Sequence, residues 1–257
     1  IGYDNDSIII LNSSPPNINK ILHPGEFESM DLELGLEVSF RRALVLSDLD
    51  RHAESVVALK QLQKDYVLSV ADQRGVQLAI GAAEMQSGKT RRGVDRIQET
   101  LAGLENPREN SWLQARARYA LSEELLREAR EISLKSNRHL SKRIKKRADL
   151  ILAAEKQITV ILQLQEPEYA LKGLVRIGDA LLQLHDALIA IPPPRKLTEQ
   201  QGRLYRQGMR EEASALQSKA YGYYGKGLTY ARQLDWPGKT HQELIEKRAA
   251  LALEKDL

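Results

Sequence analysis

Apolar residues recur at intervals of three and four along most of the chain, which is the spacing of one buried face of an α-helix. The broadest such stripe covers residues 171–189, and another long one covers residues 209–234. Alternation typical of β-strands is confined to roughly the first twenty residues. The pattern predicts an all-α protein in which amphipathic helices bury their stripes against one another.

Residues that start or end helices mark the boundaries of these segments. Pro167 is tolerated in a first helical turn, and the three prolines at 192–194 end the helix before them. Thr198 and Gln201 have the spacing of a capping box, which places a helix start near residue 199. These boundaries predict eight or nine helices, at about residues 31–47, 51–65, 68–86, 90–104, 111–134, 138–164, 168–190, 199–233 and 241–255.

Residues 1–25 are predicted to form an extended N-terminal arm. Pro15, Pro24 and Gly25 are among the residues that interrupt this stretch too often for a helix. The stretch is nevertheless rich in isoleucine and leucine, so we expect it to lie along a groove of this protein or of a neighbour. The remainder, residues 26–257, is predicted to form a single helical-repeat domain.

Two predicted helices and a glycine-containing turn occupy residues 74–107, a 34-residue window typical of a stacking repeat. The positions that matter are Ile80, Gly81, Gly88, Gly93, Ile97 and Pro107. With Ile80 and Gly81 at the usual Leu-Gly pair, the segment resembles a tetratricopeptide repeat (TPR). It departs from that pattern at Gln77, where Trp is common, and at Thr100, where Ala is common. The resemblance implies that small residues let the two helices approach closely.

A second Leu-Gly arrangement lies within the 171–189 stripe, and its partner helix follows only after a long insertion. The positions that carry it are Leu174, Ile177, Gly178 and Leu181 in the first helix and Ala220, Tyr224 and Gly227 in the second. Residues 145–255, including the run 190–206 and Trp236, resemble TPR proteins of the δ-proteobacterial and myxobacterial cell envelope. Components of the gliding-motility machinery belong to that group.

This resemblance implies a TPR-like α-solenoid of stacked antiparallel helix pairs. It also implies a non-enzymatic scaffold in the periplasm or at the outer membrane, with a cytoplasmic location as the alternative. The implied partners are other proteins or peptide segments, within an envelope complex. It implies no catalytic residue, no cofactor and no metal.

Composition and charge narrow the function classes further. The 257 residues include 38 Lys and Arg against 35 Asp and Glu, and the resulting net charge of +3 does not indicate nucleic acid as a partner. Cysteine is absent, which removes disulfides, thiolate nucleophiles and Cys-ligated zinc. No apolar run approaches the roughly 18 residues of a membrane-spanning helix. The chain begins at Ile1 without an initiator Met, so we expect any signal peptide or lipid anchor to lie upstream of it.

The one segment that resembles a catalytic motif is Ser87–Thr90, which has the Gly-Lys-Thr ending of a phosphate-binding loop. That motif needs a glycine where this chain has Ala83, and it needs a preceding strand where this chain has a helical stripe. We therefore predict a turn between helices. The five histidines are dispersed without metal-ligand spacing, and the chain is predicted not to be an enzyme.

Candidate contacts for a protein partner are polar positions outside the apolar stripes of predicted inner helices. They are Arg116, Tyr119, Arg176, Asp179, Gln183 and Tyr205. Tyr221 and Tyr223 are added as alternatives for one exposed anchor, because they cannot both share the stripe that contains Tyr224 and Gly227.

A basic run at residues 135–147 supports an alternative, the binding of nucleic acid or anionic lipid. Its candidate residues are Lys142, Arg143, Lys145 and Lys146. Leu140, Ile144 and Ile151 keep an apolar face through the same segment, so we expect the basic residues to spread over the remaining solvent face. The run contains no aromatic residue that could stack on a base.

Overall fold

The computed structural model describes residues 24–134, 139–194, 196–236 and 238–255. All regular secondary structure in these residues is helical, which confirms the all-α prediction. The helices are α1 (Pro24–Asp48), α2 (His52–Asp65), α3 (Val70–Gln86), α4 (Thr90–Ala102), α5 (Ser111–Glu131), α6 (Leu140–Leu164), α7 (Pro167–Ile189), α8 (Glu199–Gln233) and α9 (Lys239–Lys255).

The boundaries follow the predicted ones closely except at the start of the described chain. Helix α1 begins at Pro24, so Pro24 and Gly25 belong to a helix and not to the arm predicted for residues 1–25. Proline suits the first turn because the N–H that it lacks has no partner there. The rest of the predicted arm lies outside the described residues. The capping box at Thr198 is confirmed, with Gln201 N donating to Thr198 Oγ1 at 3.3 Å and Thr198 N to Gln201 Oε1 at 2.9 Å.

The chain divides into two compact units, residues 1–120 and 121–257, with the division inside α5. In the first unit α1 packs on α2, α2 on α3 and α3 on α4. In the second unit α6 packs on α7, α7 on α8, and α9 on both α7 and α8. Each helix thus buries its apolar face mainly against its neighbours in sequence, while the single repeat domain over 26–257 stays a prediction.

Helices α3 and α4 meet through two glycines, at the positions that carry the TPR resemblance. A Cβ atom added to Gly81 would lie 2.6 Å from Cγ1 of Ile97 and 3.1 Å from the carbonyl oxygen of Gly93. A Cβ atom added to Gly93 would lie 2.8 Å from the backbone nitrogen of Met85. The two backbones therefore approach as closely as the sequence predicts, and only glycine fits at these points.

Helices α7 and α8 meet in the same manner, with a tyrosine in place of an aliphatic residue. The ring of Tyr224 lies on Gly178, where an added Cβ atom would come within 2.7 Å of Cζ. Tyr224 is completely buried. One turn further along α8, Gly227 lies against Leu244 of α9. Helix α7 is consequently held at the centre of the second unit, between α6, α8 and α9.

None of the helices, as far as they are described, is long and apolar enough to cross a membrane.

Candidate functional site

A polar cleft between α5 and α7 brings together three of the predicted contact residues, Arg176, Asp179 and Gln183. They are three and four positions apart on α7 and so share one face of that helix. The face is turned away from the core because the intervening Ile177 and Leu181 are buried. The lining residues of this α5–α7 cleft are Glu123, Leu126, Arg130, Arg176, Asp179, Ala180 and Gln183.

Asp179 is fixed from two further helices. Its Oδ1 accepts a hydrogen bond of 2.7 Å from the hydroxyl of Tyr224 on α8 and lies 2.8 Å from Nζ of Lys247 on α9. Burial raises the pKa of Tyr224, and the hydrogen bond to Asp179 raises it further, so the phenol stays protonated and continues to donate. The carboxylate of Asp179 is therefore held in one position before any partner arrives.

The mouth of the cleft carries charges of both signs. The guanidinium of Arg176 is 48% exposed and lies 3.6 Å from Glu123 and 3.9 Å from Asp179. Burial raises the pKa of Glu123, although the charges of Arg176 and Arg130 act in the opposite direction. Gln183 is exposed and adds an amide that can both donate and accept.

This arrangement is suited to the recognition of a polar ligand. The seven lining residues include neither a hydroxyl nucleophile nor an imidazole base. Across the described residues, no group of three or more His, Asp or Glu side chains is placed to hold a metal ion. What the cleft offers is a fixed acceptor, a half-exposed guanidinium and an amide above the apolar side chains of Leu126 and Ala180.

Arg116 and Tyr119 lie in the first unit, whereas the cleft belongs to the second. Arg116 was predicted as a surface contact, and that prediction is wrong because the residue is only 8% exposed. Its guanidinium pairs with Asp48 on α1 at 2.8 Å and lies over the ring of Trp112. Tyr119 is half-buried.

The prediction of an exposed anchor at Tyr223 is also wrong, because its side chain is 7% exposed. Its hydroxyl donates to Glu155 on α6, and both Lys219 and Lys226 lie over its ring. Helix α8 thus buries a face wide enough to take in Tyr223 as well as Tyr224.

The other two predicted tyrosines are only partly accessible. Tyr221 is half-buried, with the guanidinium carbon of Arg248 4.7 Å from the centre of its ring. Tyr205 is half-buried in the first part of α8. Neither lines the α5–α7 cleft.

The basic residues in the described part of the run differ in exposure and in pairing. Lys142 and Lys146 are exposed, but Lys145 pairs with Asp149 at 2.8 Å and Arg143 donates to the carbonyl of Ser133 at 2.8 Å. Arg147, at the end of the run, is buried, and burial lowers its pKa. Residues 135–138 lie outside the described residues.

The Ser87–Thr90 segment is a turn between α3 and α4, as predicted. The backbone amides of Gly88 and Lys89 donate to the carbonyls of Met85 and Glu84, at 3.1 and 2.9 Å. They point back into the end of α3 and are not arranged to surround a phosphate.

Three residues, Glu84, Lys247 and Glu123, were not predicted from the sequence. Glu84 is completely buried, and a lone acid among Leu78–Met85, otherwise apolar or glycine, could have marked it. Lys247 and Glu123 stand in ordinary amphipathic patterns, and nothing in the sequence distinguishes them from solvated charges.

Comparisons of the chain with protein-family models, with curated proteins and with solved structures found no match. The likeness to TPR proteins rests on the residues named above and stays a prediction. Any assignment of function therefore depends on the geometry of the described residues.

Proposed function

We propose that this protein is a non-enzymatic interaction module that binds a peptide segment of a partner protein in the α5–α7 cleft. The observation that carries the proposal is the convergence of Arg176, Asp179 and Gln183 on one cleft, with Asp179 fixed by Tyr224 and Lys247. A side chain fixed in advance loses little conformational entropy on binding, and this favours affinity.

Three polar groups of the cleft suit the recognition of a peptide. The guanidinium of Arg176 presents a planar set of donors that suits a carboxylate of the partner. The amide of Gln183 matches a peptide N–H or carbonyl, and Glu123, beside Arg176, provides an acceptor. Leu126 and Ala180, which are buried, close the cleft on its inner side.

The assignment of a TPR-like fold and of a cellular location rests on the resemblance to TPR proteins. On that basis the helix pairs are TPR-like repeats of an α-solenoid, and the glycine contacts of α3 with α4 and of α7 with α8 support it. On the same resemblance, we propose a scaffold of a bacterial envelope complex of the gliding-motility type, in the periplasm or at the outer membrane.

The alternative function, binding of nucleic acid or anionic lipid through residues 135–147, gains no support from the described part of that run. Lys145 and Arg143 are engaged with neighbouring groups, and Arg147 is buried. Only Lys142 and Lys146 remain as exposed cations without such engagement.

A displayed peptide library selected on the immobilised chain tests the proposal. The selected peptides are compared on the wild type, on the double variant Arg176→Glu/Gln183→Ala, and on the control Arg203→Glu/Gln207→Ala. Arg203 and Gln207 are an exposed Arg and Gln on α8, outside the cleft.

We expect about a ten-fold or greater loss of affinity in the cleft variant, because it reverses one charge and removes an amide, and no loss in the control. Peptides that bind the cleft variant as tightly as the wild type, or the failure of the library to yield any binder, would contradict the proposal.

A further inference from the structure

The first unit contains a completely buried carboxylate that contacts three cations from two other helices. Glu84 of α3 is 0% exposed. Its carboxylate lies 2.9 Å from Nε of Arg96, 3.2 Å from Nε of Arg92 and 3.4 Å from Nζ of Lys60. Lys60 belongs to α2, and both arginines belong to α4. We call these four residues the Glu84 cluster.

The charges of the Glu84 cluster do not balance. One carboxylate faces three cations, so the cluster has a surplus of two positive charges. Burial alone would raise the pKa of Glu84, but the hydrogen bond from Arg96 and the neighbouring positive charges outweigh it and hold that pKa below its ordinary value. The carboxylate is therefore ionised, and the surplus remains positive.

The surplus charge is directed to the surface. The side chains of Arg92 and Lys60 are 59% and 40% exposed, whereas the Glu84 that holds them is inaccessible. Arg96 also donates to Gln77, which fixes its orientation. A buried anion thus holds a set of cations in place while leaving them available to a second anion outside.

The surface around these cations is more basic towards the start of α4. Lys89 and Arg91 are exposed there beside Arg92, and the first turn of α4 contains no acidic residue. Asp95 and Glu99 are the acidic residues on this surface, and they lie one and two turns further along the helix. Positive charge at the start of a helix opposes the helix dipole, so the stability of α4 does not account for this arrangement.

The backbone at this surface is unsuited to a compact phosphate. The amides of Gly88 and Lys89 are bonded into the end of α3 and do not converge on an external point. The groups available for binding a ligand are guanidinium and ammonium groups spread over α2 and α4. Their spread matches carboxylates distributed along a peptide chain.

We propose that the exposed cations of the Glu84 cluster, together with Lys89 and Arg91, bind an acidic segment of a partner protein. The ligand class is a run of Asp and Glu side chains. This site lies in the first unit and is independent of the α5–α7 cleft, so the failure of one proposal leaves the other standing.

Fluorescence anisotropy with a labelled Glu-rich peptide tests this inference on the full chain. The variants are Arg91→Ala/Arg92→Ala and the matched control Lys142→Ser/Lys146→Ser, which removes two exposed cations from α6. Circular dichroism verifies that each variant is folded. A peptide with Gln in place of Glu controls for attraction that does not depend on charge.

We expect the arginine variant to bind the Glu-rich peptide about ten-fold more weakly than the wild type, and the lysine variant to bind it equally well. Binding should weaken as salt is raised. Inorganic phosphate at matched ionic strength should not displace the peptide.

Three results would overturn the proposal. In the first, the wild type does not bind the Glu-rich peptide. In the second, the wild type and the arginine variant bind it equally well. In the third, low concentrations of inorganic phosphate displace the bound peptide. The last result would assign the surface to a phosphoryl ligand. If the second result comes with a loss in the lysine variant, the acidic-peptide site moves to the basic run of α6.

Discussion

The α3/α4 and α7/α8 contacts are built alike, but only the second is connected to the α5–α7 cleft. In each, a glycine on the first helix lies under a large residue of the second, Gly81 under Ile97 and Gly178 under Tyr224. Ile97 is aliphatic and completely buried, so its contact contributes to the core alone. Tyr224 has a hydroxyl, and that hydroxyl reaches Asp179 in the α5–α7 cleft.

The difference shows how one packing arrangement can serve either stability alone or stability together with a site. A substitution at the α3/α4 contact should change the free energy of unfolding and leave peptide binding in the cleft unchanged. A substitution of Tyr224 should change both, because Tyr224 is part of the core and also positions Asp179.

The largest effect is expected at the glycine contact of the first unit. The change Gly93→Ala should destabilise the protein by about 3 kcal/mol, because the new methyl group would meet backbone atoms of Gly81 and Met85 that cannot move aside cheaply. Urea unfolding followed by circular dichroism measures this. The control Gly222→Ala has nothing within 4 Å of the added atom and should stabilise α8 by about 0.5–1 kcal/mol. Equal effects of the two changes would refute the close approach.

Glu84→Gln should destabilise the protein by about 2 kcal/mol at neutral pH, since it removes the charge that three cations share. The pKa of Glu84 is lowered in the folded state, so its contribution to stability is present above the ordinary glutamate value of 4.5. That contribution is lost as pH falls through the lowered pKa. The difference between wild type and variant, measured by urea unfolding across pH, should therefore shrink in acid. A difference independent of pH would exclude an ionic role for Glu84.

Tyr224→Phe should cost about 1.5 kcal/mol, because the ring is retained while the hydrogen bond to the charged Asp179 is lost. Unlike Gly93→Ala, it should also weaken binding of the selected peptides. Asp179 then keeps its contact with Lys247 but loses the hydrogen bond from Tyr224. Thermal unfolding and peptide titration, performed on the same samples, separate the two effects. If the affinity for the selected peptides is unchanged, Tyr224 does not contribute to peptide binding in the cleft.

The smallest effect, and one of opposite sign to that of Glu84→Gln, is expected for Glu123→Gln. Burial raises the pKa of Glu123, so its ionised form is unfavourable in the folded state above that pKa. The glutamine variant should therefore be slightly more stable than the wild type at neutral pH, and the gain should vanish as pH falls and the wild-type carboxyl takes up its proton. A gain that persists in acid would point to a cause other than charge burial.

The sequence predicted the helices and the glycine contacts because both depend on local pattern. The resemblance to TPR repeats placed Gly81, Gly93 and Gly178 at helix contacts, and the structure has them there. The capping residues at Thr198 and Gln201 were predicted for the same reason.

Errors arose where a residue's surroundings depend on several helices at once. Tyr223 and Arg116 were expected at the surface because each lies beside an apolar stripe, but α6 provides a partner for Tyr223, and α1 and Trp112 provide partners for Arg116. Lys60 and Glu84 are 24 residues apart, and Asp179 and Lys247 are 68 apart. Helical periodicity describes one helix at a time. It does not indicate which residues of different helices come into contact.

Site-specific crosslinking tests the central claim, that a partner peptide lies in the α5–α7 cleft, most directly. A photoreactive amino acid replaces Gln183 in one variant and Gln207, which is also exposed but lies outside the cleft, in the other. Each variant is irradiated with a peptide selected on the wild type, and the products are mapped by mass spectrometry. We expect crosslinked peptide from position 183 and none from position 207. Crosslinking at position 207 with none at position 183 would contradict the claim.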